Sequence, residues 1–215
     1  SAIRYRPGTL NTWTALLDMT TPRAGLAAAT LNGTTVLALG GCEGDTCFTV
    51  LASVEALDLA AAPGAPLSAW TRFPSMTTPR YAHAAAVLLG VIYVAGGQDS
   101  NGNVLASVER FDGGAHSAWA TVPASMTTAR NQFALVALEE GGAGVPPGGL
   151  LVAAGGTGDA SAEAFGPAAP GAAWAAIASL ATARVYCAGA ALHGKAYVSG
   201  GCDDNNIVLA SVEAY

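Results

Sequence analysis

Residues 70–112 read WTRFPSMTTPRYAHAAAVLLGVIYVAGGQDSNGNVLASVERFD, and the order of signals in this stretch decides the fold. A tryptophan, a Met-Thr-Thr turn and an arginine come first. Two apolar runs follow, Ala84 to Leu89 and Val91 to Ala95, separated by a glycine and closed by Gly96-Gly97. Runs this short and glycine-bounded read as buried strands, because helices need longer periodic segments. Val104 to Phe111 reads as a third strand, and Trp119 to Val122 as a fourth, with Pro and Gly marking the joins. One such unit makes a four-stranded antiparallel sheet.

The unit recurs along the chain, which is the first thing to look for in a sequence. Its copies are Trp13 to Arg23, Trp70 to Arg80, Trp119 to Arg130 and Trp174 to Arg184, with arginine spacings of 57, 50 and 54 residues. After each arginine come Gly40-Gly41, Gly96-Gly97, Gly155-Gly156 or Gly200-Gly201, and then Ser53-Val54-Glu55, Ser107-Val108-Glu109, Ser161-Ala162-Glu163 or Ser211-Val212-Glu213. The third copy is the most degenerate and carries extra residues matching Glu139 to Gly148. A sheet this apolar on both faces needs neighbours on both sides. The arrangement that supplies them is a β-propeller.

The period, the glycine pair ending the second strand, the Ser107-Val108-Glu109-Arg110-Phe111-Asp112 strand and the fourth-strand Trp resemble Kelch repeats. The resemblance runs from about residue 12 to 215 and implies an all-β, Kelch-type β-propeller in a single domain, 1–215; the four copies of the unit give it four four-stranded antiparallel blades. Repeat units fall at about 24–75, 81–123, 131–177 and 185–215 plus 10–18. The chain opens on a fourth-strand Trp13 and stops at Tyr215 where a third strand ends. This phase predicts closure, with the two ends sharing the last blade and removing an open sheet edge. The alternative is part of a larger ring, since Kelch propellers mostly have more blades.

Composition excludes several functions. The 215 residues are 52% hydrophobic and only 11% charged, the opposite of a disordered chain. A net charge of −6 gives no footprint for nucleic acid. No apolar run is long enough for a membrane span, as Gly166, Pro167, Pro170 and Gly171 interrupt the Ala-rich segment. The N-terminal Ser-Ala-Ile-Arg-Tyr has neither an initiator Met nor a signal peptide's apolar stretch, so it reads as processed or as a piece of something longer.

Arg23, Arg80, Arg130 and Arg184 are locked to the repeat, as are Glu55, Glu109, Glu163 and Glu213. Buried charges must be paired, so one reading joins them across blade junctions. The other places the arginines around a channel mouth facing an acidic partner. The resemblance supports that second reading, since Kelch substrate adaptors use arginines sixteen residues before the glycine pair, which Arg80 and Arg184 match. The glycine pairs read as backbone devices and do not fit a phosphate loop.

The loops after the glycine pairs vary most and carry Glu43, Asp45, Asp99, Asp159, Asp203 and Asp204, making an acidic rim where specificity is normally placed. Asp99-Ser100-Asn101-Gly102-Asn103 starts like a calcium loop but lacks its glycine at the sixth position and its acid at the twelfth, and reads as a polar turn. Cys42 with Cys47 and Cys187 with Cys202 form two local pairs, which with the Asn32-Gly33-Thr34 acceptor lean towards an oxidising, secretory setting; buried free thiols are the alternative. With three His and no Cys-x-x-Cys, zinc is disfavoured. His83, His116 and His193 hold different positions in their units and do not suggest a triad.

The function expected is a non-enzymatic scaffold, without cofactor, binding a protein partner through face loops that include Arg72, Tyr81, Gln98, Asn101 and Asn131. The alternatives are a carbohydrate-active or galactose-oxidase-like enzyme domain and a structural subunit of a larger assembly.

Overall fold

Each arginine-to-glycine-pair segment folds into two antiparallel strands in the computed structural model, which describes residues 3–6, 12–44, 46–59, 69–113, 118–142, 144–156 and 158–215. The pairs are Ala27–Leu31 with Thr35–Leu39, Ala84–Leu88 with Val91–Ala95, Ala134–Leu138 with Leu150–Ala154, and Ala188–Leu192 with Lys195–Ser199. Leu89-Gly90 and His193-Gly194 join their strands as two-residue turns with positive φ at both positions, the twist that antiparallel strands favour. The third hairpin is longer by the Glu139 to Gly148 insertion, where the Glu140 carboxylate accepts the Gly148 amide at 2.9 Å.

Third strands add beside the second: Val54–Asp58, Val108–Phe111, Ala162–Phe165 and Val212–Ala214. Fourth strands follow at Thr71–Phe73, Ala120–Thr121 and Ala175–Ile177. Three sheets therefore have four strands and the last has three, giving blades 1 to 4 in chain order of an all-β propeller. The third strand of blade 2 begins at Val108 instead of Val104, because Val104 bridges Gln98 and Leu105 donates to the Gly97 carbonyl across the blade's end.

The blades stack face to face, first strand against first strand. Between blades 1 and 2 lie Leu37, Leu39, Val54, Met76, Ile92, Phe111 and Trp119; between 2 and 3 lie Tyr93, Val108, Met126, Phe133, Leu151, Phe165 and Trp174. Each large apolar side chain enclosed this way contributes about 1.5–3 kcal/mol, which is why a chain so poor in charge holds together. Met76 and Met126 sit in these seams because the Met-Thr-Thr turn carries each of them into the preceding blade.

The glycine pairs are where successive blades touch. A Cβ on Gly40 would stand 2.7 Å from the Arg80 carbonyl oxygen, and one on Gly155 2.7 Å from that of Arg184; Gly96 meets the Arg130 carbonyl in the same way. The second glycine of each pair donates to that same carbonyl, Gly41 to Arg80 at 2.9 Å, Gly97 to Arg130 at 2.7 Å and Gly156 to Arg184 at 3.0 Å. A further backbone bond links neighbouring blades one step on: Ala82 donates to Gly25, Gln132 to Ala82 and Tyr186 to Gln132. These donors all have positive φ, of 52°, 55° and 57°.

The expected closure is not formed. The Thr12–Ala15 strand pairs with Ile3–Arg6, and no strand pairs with the outer edge of Val212–Ala214 among the described residues. The register explains why. Thr14 opposes Arg4 as Thr71 opposes Ala56, so Ile3–Arg6 already holds the third-strand place beside the fourth-strand-like segment. Correspondingly, the first strand of blade 4, Ala188–Leu192, is exposed along its length, and a Cβ on Gly200 would meet only Leu209 of its own blade, at 3.8 Å.

Candidate functional site

The repeat-locked charges form one network per blade. Arg80 Nη1 donates to the Gly96 and Ser107 carbonyls at 2.6 and 3.2 Å, and Nη2 to Ser107 Oγ and Glu109 Oε1 at 3.1 and 3.0 Å. The other Glu109 oxygen accepts the Thr77 amide at 2.6 Å. Arg23 repeats this with Gly40, Ser53 and Glu55, Arg130 with Gly155, Ser161 and Glu163, and Arg184 with Gly200, Ser211 and Glu213. The Ser-Val-Glu strand and the Met-Thr-Thr-x-Arg turn are thus two halves of one clamp. The serine hydroxyl and the turn amides take most of the hydrogen-bonding capacity that the ion pair alone would leave unmet in a dry seam, while Arg80 Nε and Arg184 Nε stay buried without a partner.

The four arginine side chains are 0–1% exposed. Of the two readings the sequence left open for Arg23, Arg80, Arg130 and Arg184, this burial fits the paired one and not a channel mouth facing an acidic partner: the Nη groups are turned into their own blades. Burial lowers the Arg80 pKa, with the Glu109 charge opposing. Burial alone would raise the Glu55 carboxyl, but Thr20 and then Arg23 outweigh it and hold it below the usual range; Glu213 is held low in the same way by the Ala181 amide and Arg184.

A different set of polar groups gathers at one end of the blades. In blades 1, 2 and 4 the residue following the arginine bridges the residue following the glycine pair: Ala24 to Cys42, Tyr81 to Gln98 and Val185 to Cys202. The loops expected to vary therefore sit on one face with the starts of the first strands. There Tyr81 donates its hydroxyl to Gln98 Oε1 at 2.6 Å, Gln98 Nε2 donates to the Gly102 carbonyl at 2.7 Å, and Gln132 Nε2 donates to the Tyr186 hydroxyl at 2.9 Å. Asn101 is exposed beside them, whereas Asn131 is buried at 5% and belongs to the packing beneath the face. Arg72 lies elsewhere, on the exposed fourth strand of blade 1.

The acidic residues of this face order their own loops. Asp99 Oδ1 accepts the Asn101 and Asn103 amides at 2.8 and 2.9 Å, and Asp203 Oδ1 accepts the Asn205 and Ile207 amides, both at 2.9 Å. Hydrogen bonds from Asn103, first its side chain and then its amide, hold the Asp99 carboxyl below its ordinary value. The loops between 158 and 161 and between 202 and 208 contain no Lys or Arg, nor do residues 42–50 and 98–104. Asp45, His116 and Thr157 lie outside the described residues.

Cys42 and Cys47 form a disulfide, with Cα atoms 4.9 Å apart, at the base of the first loop. Cys187 and Cys202 are free thiols, which corrects the second expected pair. The two-residue turn sets the register, Ala188 opposite Ser199, so that Cys202 faces Val185 while Cys187 falls two residues out of step. His83 and His193 do not meet: His83 is buried in the seam against Gly40 of blade 1, and His193 is an exposed turn residue on the opposite end. Burial, then the Arg80 charge, pushes the His83 pKa down to about 3. Its ring nitrogens have no hydrogen-bond partner, the nearby Leu39 and Arg80 backbone offsetting burial only in part.

Sequence reasoning did not assign the role of the clamp serine, the Gln132–Tyr186 pair or the burial of His83. A signal existed for the first, since serine precedes Val-Glu or Ala-Glu in every unit.

The family model described as the Kelch motif matches residues 79–112 and 183–215, which are the Arg-to-third-strand portions of blades 2 and 4. The human protein named Kelch-like protein 33 is 35% identical to this chain over 154 residues, a match covering 68% of the chain. The chain spans about a quarter of that relative, 26% of its length.

Proposed function

This chain belongs to the Kelch-repeat family, and from that premise we propose that it is a non-enzymatic scaffold binding another protein through the loop face of its blades. The observation that carries the reading is a division of labour. What repeats, the Arg-Ser-Glu clamp and the glycine contact, is enclosed and holds blade to blade; what does not repeat, Tyr81, Gln98, Asn101, Gln132 and Tyr186, is gathered on one face. Rigid scaffolds place specificity in such loops.

Glu43, Asp99, Asp203 and Asp204 give that face an acidic character with no cation in the loops to offset it, while Asp159 lies 3.9 Å from the buried Arg130 guanidinium. A partner surface rich in Lys, Arg and amide donors complements it, and opposite potentials across an interface speed association in a salt-dependent way. The test is quantitative capture of partners by the immobilised protein against a Gln98→Ala/Asn101→Ala variant with an unchanged melting temperature. A specific partner lost by the variant and weakened by salt supports the reading. Equal capture by both proteins contradicts it.

A further inference from the structure

Across each blade, one line of side chains faces the following blade near the outer strands. In blade 1 the line is Leu37, Ala56 and Thr71, and in blade 3 it is Val152, Ala164 and Ala175. In blade 2 it is Tyr93, Arg110 and Ala120. Blade 4 also carries a phenol here, Tyr197 opposite Ala214, so blade 2 is set apart by a guanidinium standing beside its phenol where blades 1, 3 and 4 present an alanine.

The seam next to them is open. Between blades 1 and 2 the outer gap is filled by Phe73, whose ring packs edge-on against Phe111 at 5.0 Å. The same position in blade 2, three residues after the Trp, is Val122, facing Phe165 of blade 3. The shorter side chain leaves a groove of about 400 Å³, walled by Tyr93, Val122, Pro123, Phe165 and Pro167 with Arg110 beside them. That volume lies within the range of small-molecule sites, about 300–1,000 Å³ with apolar walls and a few polar groups. Phe165 is backed by Trp174, stacked on it at 5.3 Å, so the floor is rigid.

We propose that this groove between blades 2 and 3 is a binding site for a small organic carboxylate with an apolar, preferably aromatic, body. The body lies between Phe165 and the two prolines, and the carboxylate meets the Arg110 guanidinium at the exposed end. Charge complementarity selects this occupant. Arg110 is one of only five cations outside the clamps, in a chain of net charge −6, and it is exposed on its strand. A guanidinium over an apolar wall binds a carboxylate far better than it binds a neutral group. The site is separate from the loop face and does not depend on the scaffold reading.

The test is a titration of the whole chain with phenylacetate, followed by NMR or calorimetry, with phenylacetamide as the uncharged control. Saturable phenylacetate binding is expected, weakened at least about tenfold by Arg110→Gln. Val122→Phe, which copies the filling that blade 1 already uses, should abolish binding without lowering the melting temperature. Equal affinity for phenylacetamide, full binding by the Val122→Phe protein, or no saturation at millimolar phenylacetate overturns the proposal. Saturation by a peptide ending in Phe, but not by phenylacetate, overturns the small-molecule assignment in favour of a peptide terminus.

Discussion

Arg80 and Glu109 meet at 3.0 Å with side chains 0% and 1% exposed, joining a turn to a strand 29 residues later. The pair closes blade 2 from within, and the carbonyl of the same Arg80 accepts the Gly41 amide of blade 1. One residue therefore ties its own blade through its side chain and the preceding blade through its backbone. Arg130 and Arg184 repeat the arrangement towards Gly97 and Gly156, so these three clamps also fix junctions.

The glycine contacts predict an asymmetry between blades. Gly96→Ala should destabilise strongly, because the new methyl would overlap the Arg130 carbonyl and press on Phe133, whereas Gly200→Ala, which meets no neighbouring blade among the described residues, should cost only the strain of its φ of +64°. That strain is on the order of 1 kcal/mol. Chemical denaturation of both variants checks this. Equal losses would mean that Gly200 is covered by another blade in solution.

His83 predicts a pH dependence. Its folded pKa, about 3, lies below the ordinary value of 6.5, so the unfolded chain takes up the proton first. The stability it contributes is complete above pH 6.5 and is lost as pH falls towards 3, at up to about 1.4 kcal/mol per pH unit. Phe133 fills the equivalent place in blade 3. His83→Phe should therefore gain stability over wild type at pH 4.5 relative to pH 7.5, as read from thermal melts at the two pH values; a pH-independent difference would show that the buried imidazole is not the cause.

The cysteines predict a mass. Iodoacetamide applied to the denatured but unreduced protein should modify Cys187 and Cys202 only, and reduction should expose Cys42 and Cys47 as well. Complete protection before reduction would instead point to a second disulfide.

The blades were legible because their signals are periodic and physically forced. Gly40, Gly96 and Gly155 are glycines because another blade's carbonyl stands where a Cβ would be, and each Glu is kept near its Arg by burial. Closure was misread for a specific reason. Ser1-Ala2-Ile3-Arg4-Tyr5-Arg6 parallels Ser107-Val108-Glu109-Arg110-Phe111-Asp112, but Ile3 stands where the unit's glutamate should be, which hid a third strand. The cysteine pairing failed by two residues because a hairpin's register follows its turn, and the turn is His193-Gly194. The outer groove was invisible, since it arises from Val122 being smaller than Phe73, a comparison that only stacked blades make meaningful.

The most direct measurement is the thermal stability of Arg80→Met beside Arg110→Met, the latter removing an exposed cation. Breaking one partner of a buried, hydrogen-bonded pair typically costs about 3–5 kcal/mol, and in a chain of this size that lowers Tm by about 10 °C. The predicted result is a fall of that order for Arg80→Met and almost none for Arg110→Met. An Arg80→Met protein that melts with wild type would contradict the clamp and return the arginines to the partner-binding role.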